Sequence, residues 1–281
     1  WKVHHINKTH SAILLIKLFW TLLKELPDTV FSTTLYINGK LLLLKKTFPH
    51  IRFIVRCENY LYTFKNKQLN LIKKTYKNAD LIIAQTEEMK DELINQMQID
   101  SKKIKVLHNP IDKNTIDKKV KYGTNPYPKN ETIKFCACGR LTHQKGFDLL
   151  IEAFSIVKKT IPNAHLYIVG NNEGSNREYF NKLRDLTANH ELLNDVTFVG
   201  YQDNPYIYMK YADCFVLSSR WEGLPNAMLE SLYLGTPVAA FKCIPIIERI
   251  INDGIDGFLA EKENINSLSD AMAKASKLNR I

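Results

Sequence analysis

Apolar residues recur along this chain in two alternating rhythms. Short, dense runs such as TVFSTT (29–34), IRFIVRC (51–57), DLIIAQT (80–86), HLYIVG (165–170), VTFVG (196–200), CFVLSS (214–219) and PVAAF (237–241) have the length and β-branched or aromatic content of buried strands. Between them lie stretches in which apolar residues return every three or four positions, the spacing of one helix face. These predict helices over 11–26, the leucines of GKLLLLKK (39–46), 69–77, 87–96, 147–160, 178–189 and 226–234. KIKVLHNPID (103–112) reads as a strand running into a turn at Asn109 and Pro110, and TIKFCACG (132–139) as the strand that starts a second series. Strands alternating with helices imply parallel pairing, so the expected class is α/β.

The rhythm breaks once. From 112 to 131 the chain is rich in lysine, contains Gly123, Pro126 and Pro128, and shows no period. We read it as a linker between a domain over 1–111 and a second over 132–281. Two open α/β layers of this kind bind ligands beyond the carboxyl ends of their strands, so the loops there are where chemistry is sought.

Composition adds three constraints. No run of eighteen apolar residues occurs, and Lys17, Lys24 and Glu25 interrupt the apolar segment 11–26, which suits an amphipathic helix rather than a membrane span. That segment also lacks the small-residue cleavage site of a signal peptide. Five cysteines without framework spacing point to a reducing compartment, and Cys136 and Cys138 share one strand face as small core residues. The net charge of +10 is unevenly placed: residues 1–120 carry 21 Lys+Arg and 11 Asp+Glu, whereas 121–281 carry 18 of each. Such an excess suits a surface facing an anionic partner or, equally, a solvated lysine-rich face. A nucleic acid is not expected, because no binding module or base-stacking aromatic spacing accompanies the lysines.

Two loops carry candidate chemistry. In CGRLTHQKGFDLL (138–150), Arg140 and Lys145 place two cations at a strand-to-helix turn, where free backbone N–H groups and the helix dipole also favour phosphate. His143 in the same loop is a phosphate contact or, more simply, a solvated side chain. In SSRWEGLPNAMLESLYLGTP (218–237), a buried strand is followed by a Gly-Leu-Pro turn and a new helix. Glu222 precedes that turn and Glu230 lies on the second turn of the helix. Carboxylates accept strongly from sugar hydroxyls, and charge-assisted hydrogen bonds contribute roughly 1.5–3 kcal/mol. Either glutamate alone reads as a surface residue; the pair around a helix start reads as a site. Asp253 and Asp256 in NDGIDGF are assigned to turns with Gly254 and Gly257.

SSRWEGLPNAMLESLYLGTPVAA resembles the donor-binding motif of family-4 retaining glycosyltransferases, in which seven residues separate two glutamates. GRLTHQKGFDLLIEAF is similar to the phosphate-contacting motif of that family, and ADLIIAQTEEMKDEL with KIKVLHNPID resembles the end of its N-terminal domain. The likeness runs from about residue 28 to residue 275. It implies two facing Rossmann-like domains, the GT-B architecture, with the N-terminal one incomplete. It also implies a nucleotide diphosphate sugar donor, UDP-linked, and a surface-glycan or lipid-linked acceptor. No metal or other cofactor is expected. By the same resemblance Arg140 and Lys145, beside Gly139, neutralise the diphosphate, and Glu230 takes the ribose hydroxyls. Glu222 holds the transferred sugar at the reacting centre. Gly223, Leu224 and Asn226 approach the donor through their backbone, and the base lies near Gly170 and Tyr201. Glu58 and Asn59 stand where many relatives have a cleft histidine. Relatives begin with a glycine-rich loop and end in a helix that returns across the cleft; neither is seen between Trp1 and Ile281, so a chain short at both ends is expected. The expected location is cytoplasmic, peripheral on the cytoplasmic face of the inner membrane. The alternatives are a nucleotide-sugar epimerase or hydrolase on this scaffold, or a non-catalytic subunit that binds membrane or partner.

Overall fold

The structure is a computed structural model that describes residues 11–64, 66–130, 132–171 and 177–280. The chain divides into two compact units, Trp1–Asn109 and Pro110–Ile281.

Among the described residues of the first unit, four parallel strands lie in chain order: β1 (Thr29–Ser32), β2 (Arg52–Arg56), β3 (Leu81–Ala84) and β4 (Ile104–Val106). The helices are α1 (Ser11–Glu25), α2 (Leu35–Leu43), α3 (Asn66–Thr75) and α4 (Glu87–Met97). Thr86 starts α4 by accepting from Met89 N, and Gln98 ends it in the left-handed region. Helix α1 buries Leu14, Leu18 and Leu22, an i, i+4, i+8 stripe, while Ile13, Ile16, Trp20 and Leu23 remain exposed. Behind the sheet, Asn38 donates to the Arg56 carbonyl and to the Tyr76 hydroxyl. Asp80 accepts from Lys45 and from Phe53 N, and so ties the start of β3 to β2.

The second unit holds six parallel strands: β5 (Ile133–Cys138), β6 (Ala164–Val169), β7 (Val196–Gly200), β8 (Cys214–Leu217), β9 (Val238–Phe241) and β10 (Gly257–Ala260). Their spatial order is β10-β9-β8-β5-β6-β7. Every residue of β8 and β9 is buried, as expected of a parallel sheet covered on both faces. The covering helices include α6 (Phe147–Thr160), α7 (Arg177–Asn189), α9 (Asn226–Tyr233) and α11 (Ile265–Ala275), with α6 and α11 packed together.

Residues 112–131 are not a featureless linker. Lys113–Lys121 form α5, begun by the Asp112 carboxylate accepting from Thr115 N. The helix buries Ile116 against α8 (Tyr206–Tyr211), and Asp117 accepts from the Tyr233 hydroxyl at the end of α9. Its two apolar residues, Ile116 and Val120, lie one turn apart, too short a stripe to stand out among four lysines, which is why the helix was masked. The short helices α8 and α10 (Ile246–Ile250), strand β10 and α11 also went unassigned in the sequence pattern. Asp256 does make a turn, accepting from both Asn252 N and Nδ2, but Gly257 already begins β10.

Glycines at two strand ends differ in what they require. A Cβ on Gly170 would lie 1.8 Å from the Gly139 carbonyl oxygen, whereas one on Gly200 (φ +81°) would meet nothing within 4 Å. Gly200→Ala therefore costs only left-handed strain, about 1–2 kcal/mol. Gly170→Ala must force β5 and β6 apart and is expected to lower the urea midpoint further than Gly200→Ala. Equal midpoints would show that the close approach at Gly170 is not structural.

Candidate functional site

Strand order reverses beside β5: the chain steps outward through β6 and β7, then returns to place β8 on the other side of β5. Loops leaving the two strands at such a reversal splay apart and open a crevice at their carboxyl ends. Those loops are 139–146 and 218–225, the two singled out in the sequence. Among the described residues, the first unit shows no reversal of this kind.

The two loops touch through backbone. Gly146 has φ +61°, and a Cβ there would lie 2.1 Å from the Ser218 carbonyl oxygen. Ser218 Oγ donates to the Lys145 carbonyl at 2.9 Å, Arg220 N donates to the Gln144 carbonyl at 2.8 Å, and Gln144 Nε2 donates to the Trp221 carbonyl at 3.0 Å. The stem of Lys145 lies over Gly139, where a Cβ would come within 3.0 Å of its Cε. A larger residue at 139 would displace the lysine.

At the centre, Lys145 Nζ donates to Glu222 Oε1 at 2.6 Å, and Ser219 Oγ donates to the same oxygen at 2.6 Å. Glu222 is 6% exposed, so its charge has little water and depends on these two donors. Glu230 differs. It projects from the second turn of α9, half-buried, with no hydrogen bond or ion pair to its carboxylate among the described residues, and burial raises its pKa. Cys138 lies close enough that the Glu230 charge adds to burial in pushing its thiol up to about 12, with Lys145 opposing. Glu230, Cys138 and Lys145 thus share one neighbourhood. Arg140 is exposed at the mouth of its loop, and no ion pair engages its guanidinium among the described residues.

Gly223 and Leu224 are buried at the turn, and Asn226 opens α9 with an exposed side chain. Its backbone N–H is already committed to the Leu224 carbonyl at 3.0 Å. Tyr201, 69% exposed, follows β7. Gly170, at the end of β6, donates to the Gly200 carbonyl, while the adjoining 172–176 lie outside the described residues. His143 sets its ring beside that of Trp221, centroids 6.1 Å apart. Glu58 and Asn59 belong to the first unit, just beyond β2. Burial raises the pKa of Glu58 against the opposing charge of Arg56 and a hydrogen bond from Thr33; the Asn59 carbonyl accepts from Cys57 Sγ at 3.3 Å.

Sequence reasoning missed Ser219, Arg220 and Asp148. Arg220 grips Asp148 with both ends of its fork, NH1 to Oδ1 at 2.8 Å and NH2 to Oδ2 at 2.9 Å, while Tyr179 donates to Oδ1 at 2.9 Å. The pair spans 72 residues, and nothing in local spacing links them. Burial alone would raise the Asp148 carboxyl, but the hydrogen bonds and charge of Arg220, with Tyr179, outweigh it and hold the group at about 2. A lowered carboxylate stabilises the fold fully above its unfolded value, roughly 3.9, and loses that contribution as pH falls through about 2. Asp148→Asn should therefore flatten the dependence of unfolding free energy on pH between about 4 and 2. An unchanged slope would contradict the ion pair.

Comparison with known proteins follows the same division. The profile "Glycosyltransferase Family 4" matches residues 6–115, and "Glycosyl transferases group 1" matches residues 124–280. An uncharacterized glycosyltransferase of Methanocaldococcus jannaschii is 33% identical over 261 residues, covering 86% of this chain and 61% of that protein. The Escherichia coli UDP-Gal:alpha-D-GlcNAc-diphosphoundecaprenol alpha-1,3-galactosyltransferase is 27% identical over 229 residues, 76% of this chain and 58% of that one. Among solved structures, Anabaena HepE in complex with UDP and glucose superposes with a TM-score of 0.77 at 20% identity, covering 94% of this chain and 71% of that one. The chain thus spans about three-fifths of the length of these two sequence relatives. Its two parallel sheets are those of the GT-B glycosyltransferases, and the chain belongs to glycosyltransferase family 4, the glycosyl transferases of group 1.

Proposed function

We propose that this chain transfers a hexosyl or N-acetylhexosaminyl group from a nucleotide diphosphate sugar, UDP-linked, to a surface-glycan or lipid-linked hydroxyl, with retention at the anomeric carbon. The carrying observation is the buried Lys145–Glu222 contact, 2.6 Å long, with the half-buried carboxylate of Glu230, unpartnered among the described residues, on the helix that follows. A nucleoside diphosphate leaves with negative charge on its terminal phosphate, so cations placed where that charge develops lower the barrier. Lys145 and Arg140 take that role, and we assign it to them rather than to a metal ion. Glu230 accepts from the ribose hydroxyls, and Glu222 from the hydroxyls of the transferred sugar. The bond from the anomeric carbon to the donor phosphate breaks as the acceptor oxygen bonds the same face, and the acceptor proton passes to the departing phosphate. Support for a uridine nucleotide comes from the UDP held by HepE and from the name of the Escherichia coli relative, which also prints a lipid-linked acceptor.

Arg140 and Glu230 make clean tests, because neither is in an ion pair among the described residues. Arg140→Ala should leave the melting temperature unchanged and weaken binding of UDP, measured by calorimetry, at least tenfold. Glu230→Gln should also lose affinity, yet melt slightly higher at neutral pH. A carboxyl whose pKa is raised by burial opposes folding once ionised, and the amide removes that cost. Unchanged affinity in both variants would contradict the assignment.

We also propose a cytoplasmic enzyme that touches an anionic membrane surface through its first unit. Among the described residues, no helix is long and apolar enough to cross a membrane. Support for peripheral contact comes from the lysine excess of residues 1–120 and from the exposed Ile16 and Trp20 of α1, flanked by Lys17 and Lys24. The chain should sediment with phosphatidylglycerol vesicles and not with phosphatidylcholine vesicles, and Trp20→Ser should reduce the bound fraction severalfold. Equal partition onto both vesicles would contradict the electrostatic part, and no partition onto either would contradict the contact.

A further inference from the structure

Several contacts join the two loops of the candidate site, and one side chain, that of Arg220, makes three hydrogen bonds from one loop to the other and to the helix that follows it. Arg220 donates from NH1 to the His143 carbonyl at 2.9 Å and to Asp148 Oδ1 at 2.8 Å, and from NH2 to Asp148 Oδ2 at 2.9 Å. Its Nε lies 3.4 Å from Glu263 Oε2. Its backbone N–H donates to the Gln144 carbonyl. His143–Lys145 is a single 3₁₀ turn ended by Gly146, and Asp148 lies on the first turn of α6 immediately beyond. Arg220 therefore grasps the turn at His143 and Gln144 and its exit at Asp148, on either side of Lys145. The Arg220 and Asp148 side chains are 11% and 9% exposed, a degree of burial that solvent-exposed ion pairs do not reach.

We propose that Arg220 and Asp148 are positioning residues of the transfer site: they hold the His143–Lys145 turn so that the Lys145 ammonium stays at Glu222, where the donor diphosphate is to be met. The inference rests on the donor reading above and goes beyond it, since neither residue touches the donor. The chemistry requires arginine. Its planar fork spans both carboxylate oxygens and still offers an N–H to a carbonyl, whereas the ammonium of lysine is a point donor that cannot hold the three acceptors in one plane. The network joins the two loops, and among the described residues none of its hydrogen bonds reaches Glu230, so the phosphate end is positioned separately from the ribose end.

That separation makes the test. Calorimetric titrations of the full chain with UDP, GDP and ADP, and with the monophosphate of whichever binds, are compared for the wild type, Arg220→Lys and Asp148→Asn. Both variants should bind the diphosphate at least tenfold more weakly and the monophosphate within twofold of the wild type. Equal losses for both nucleotides would indicate a general structural role and overturn the inference, as would no loss for either. A wild type that binds none of the three would instead overturn the donor reading and this inference with it. A second measurement needs no nucleotide: acetylation of Lys145, followed by mass spectrometry, should speed up severalfold in both variants as the ammonium leaves Glu222. An unchanged rate would overturn the inference even where a variant is less stable.

Discussion

A carboxylate with little access to water must be answered by protein groups, and Glu222 is the carboxylate around which the second unit is arranged. Its charged partner among the described residues, Lys145, comes from 77 residues earlier in the chain, and Ser219 donates to the same oxygen. Burying such a charge without a partner would be strongly unfavourable. The consequences run outward. Lys145 reaches Glu222 only because Gly139 leaves room for its stem and Gly146 allows the backbone of one loop to meet that of the other. Those loops meet only because β5 and β8 are neighbours in the sheet, at the point where strand order reverses.

The same constraint explains why the two units are not equivalent as sites. The first unit places its strands in simple succession; there the His108 ring meets the Gln85 carbonyl and the Tyr60 hydroxyl meets Thr86, while Gln85 Oε1 is buried without a hydrogen-bond partner among the described residues. In the second unit the crevice keeps a carboxylate and a guanidinium in reserve, at Glu230 and Arg140. A site built to bind must leave some polar groups incompletely answered in the free protein, and burial of the Glu230 carboxylate is a cost that a ligand's hydroxyl donors can offset.

Much of this was legible in the residues. Buried parallel strands announce themselves as unbroken apolar runs, so β6, β7 and β8 were visible within a residue or two of their ends, and α6 was visible over its whole length. The eight-residue step from Glu222 to Glu230 was legible because a turn with Gly223 and Pro225 sits between them, and local chemistry leaves local traces. What failed to show was of two kinds. Helix α5 buries Ile116 and little else, so its period was lost among lysines although Asp112 was a fair start signal. The Arg220–Asp148 pair is tertiary: each residue looks like an ordinary surface charge until the sheet order brings them together. The resemblance to a known family supplied roles for the motif residues but no role for the pair that holds the motifs in register.

The central claim is that the loops after β5 and β8 form one clamp for a nucleoside diphosphate. A crystal structure of the chain soaked with UDP tests it most directly. The account places the diphosphate within hydrogen-bond distance of Lys145 Nζ and Arg140, and the ribose hydroxyls on Glu230. A nucleotide bound away from these three side chains, at full occupancy, would contradict it.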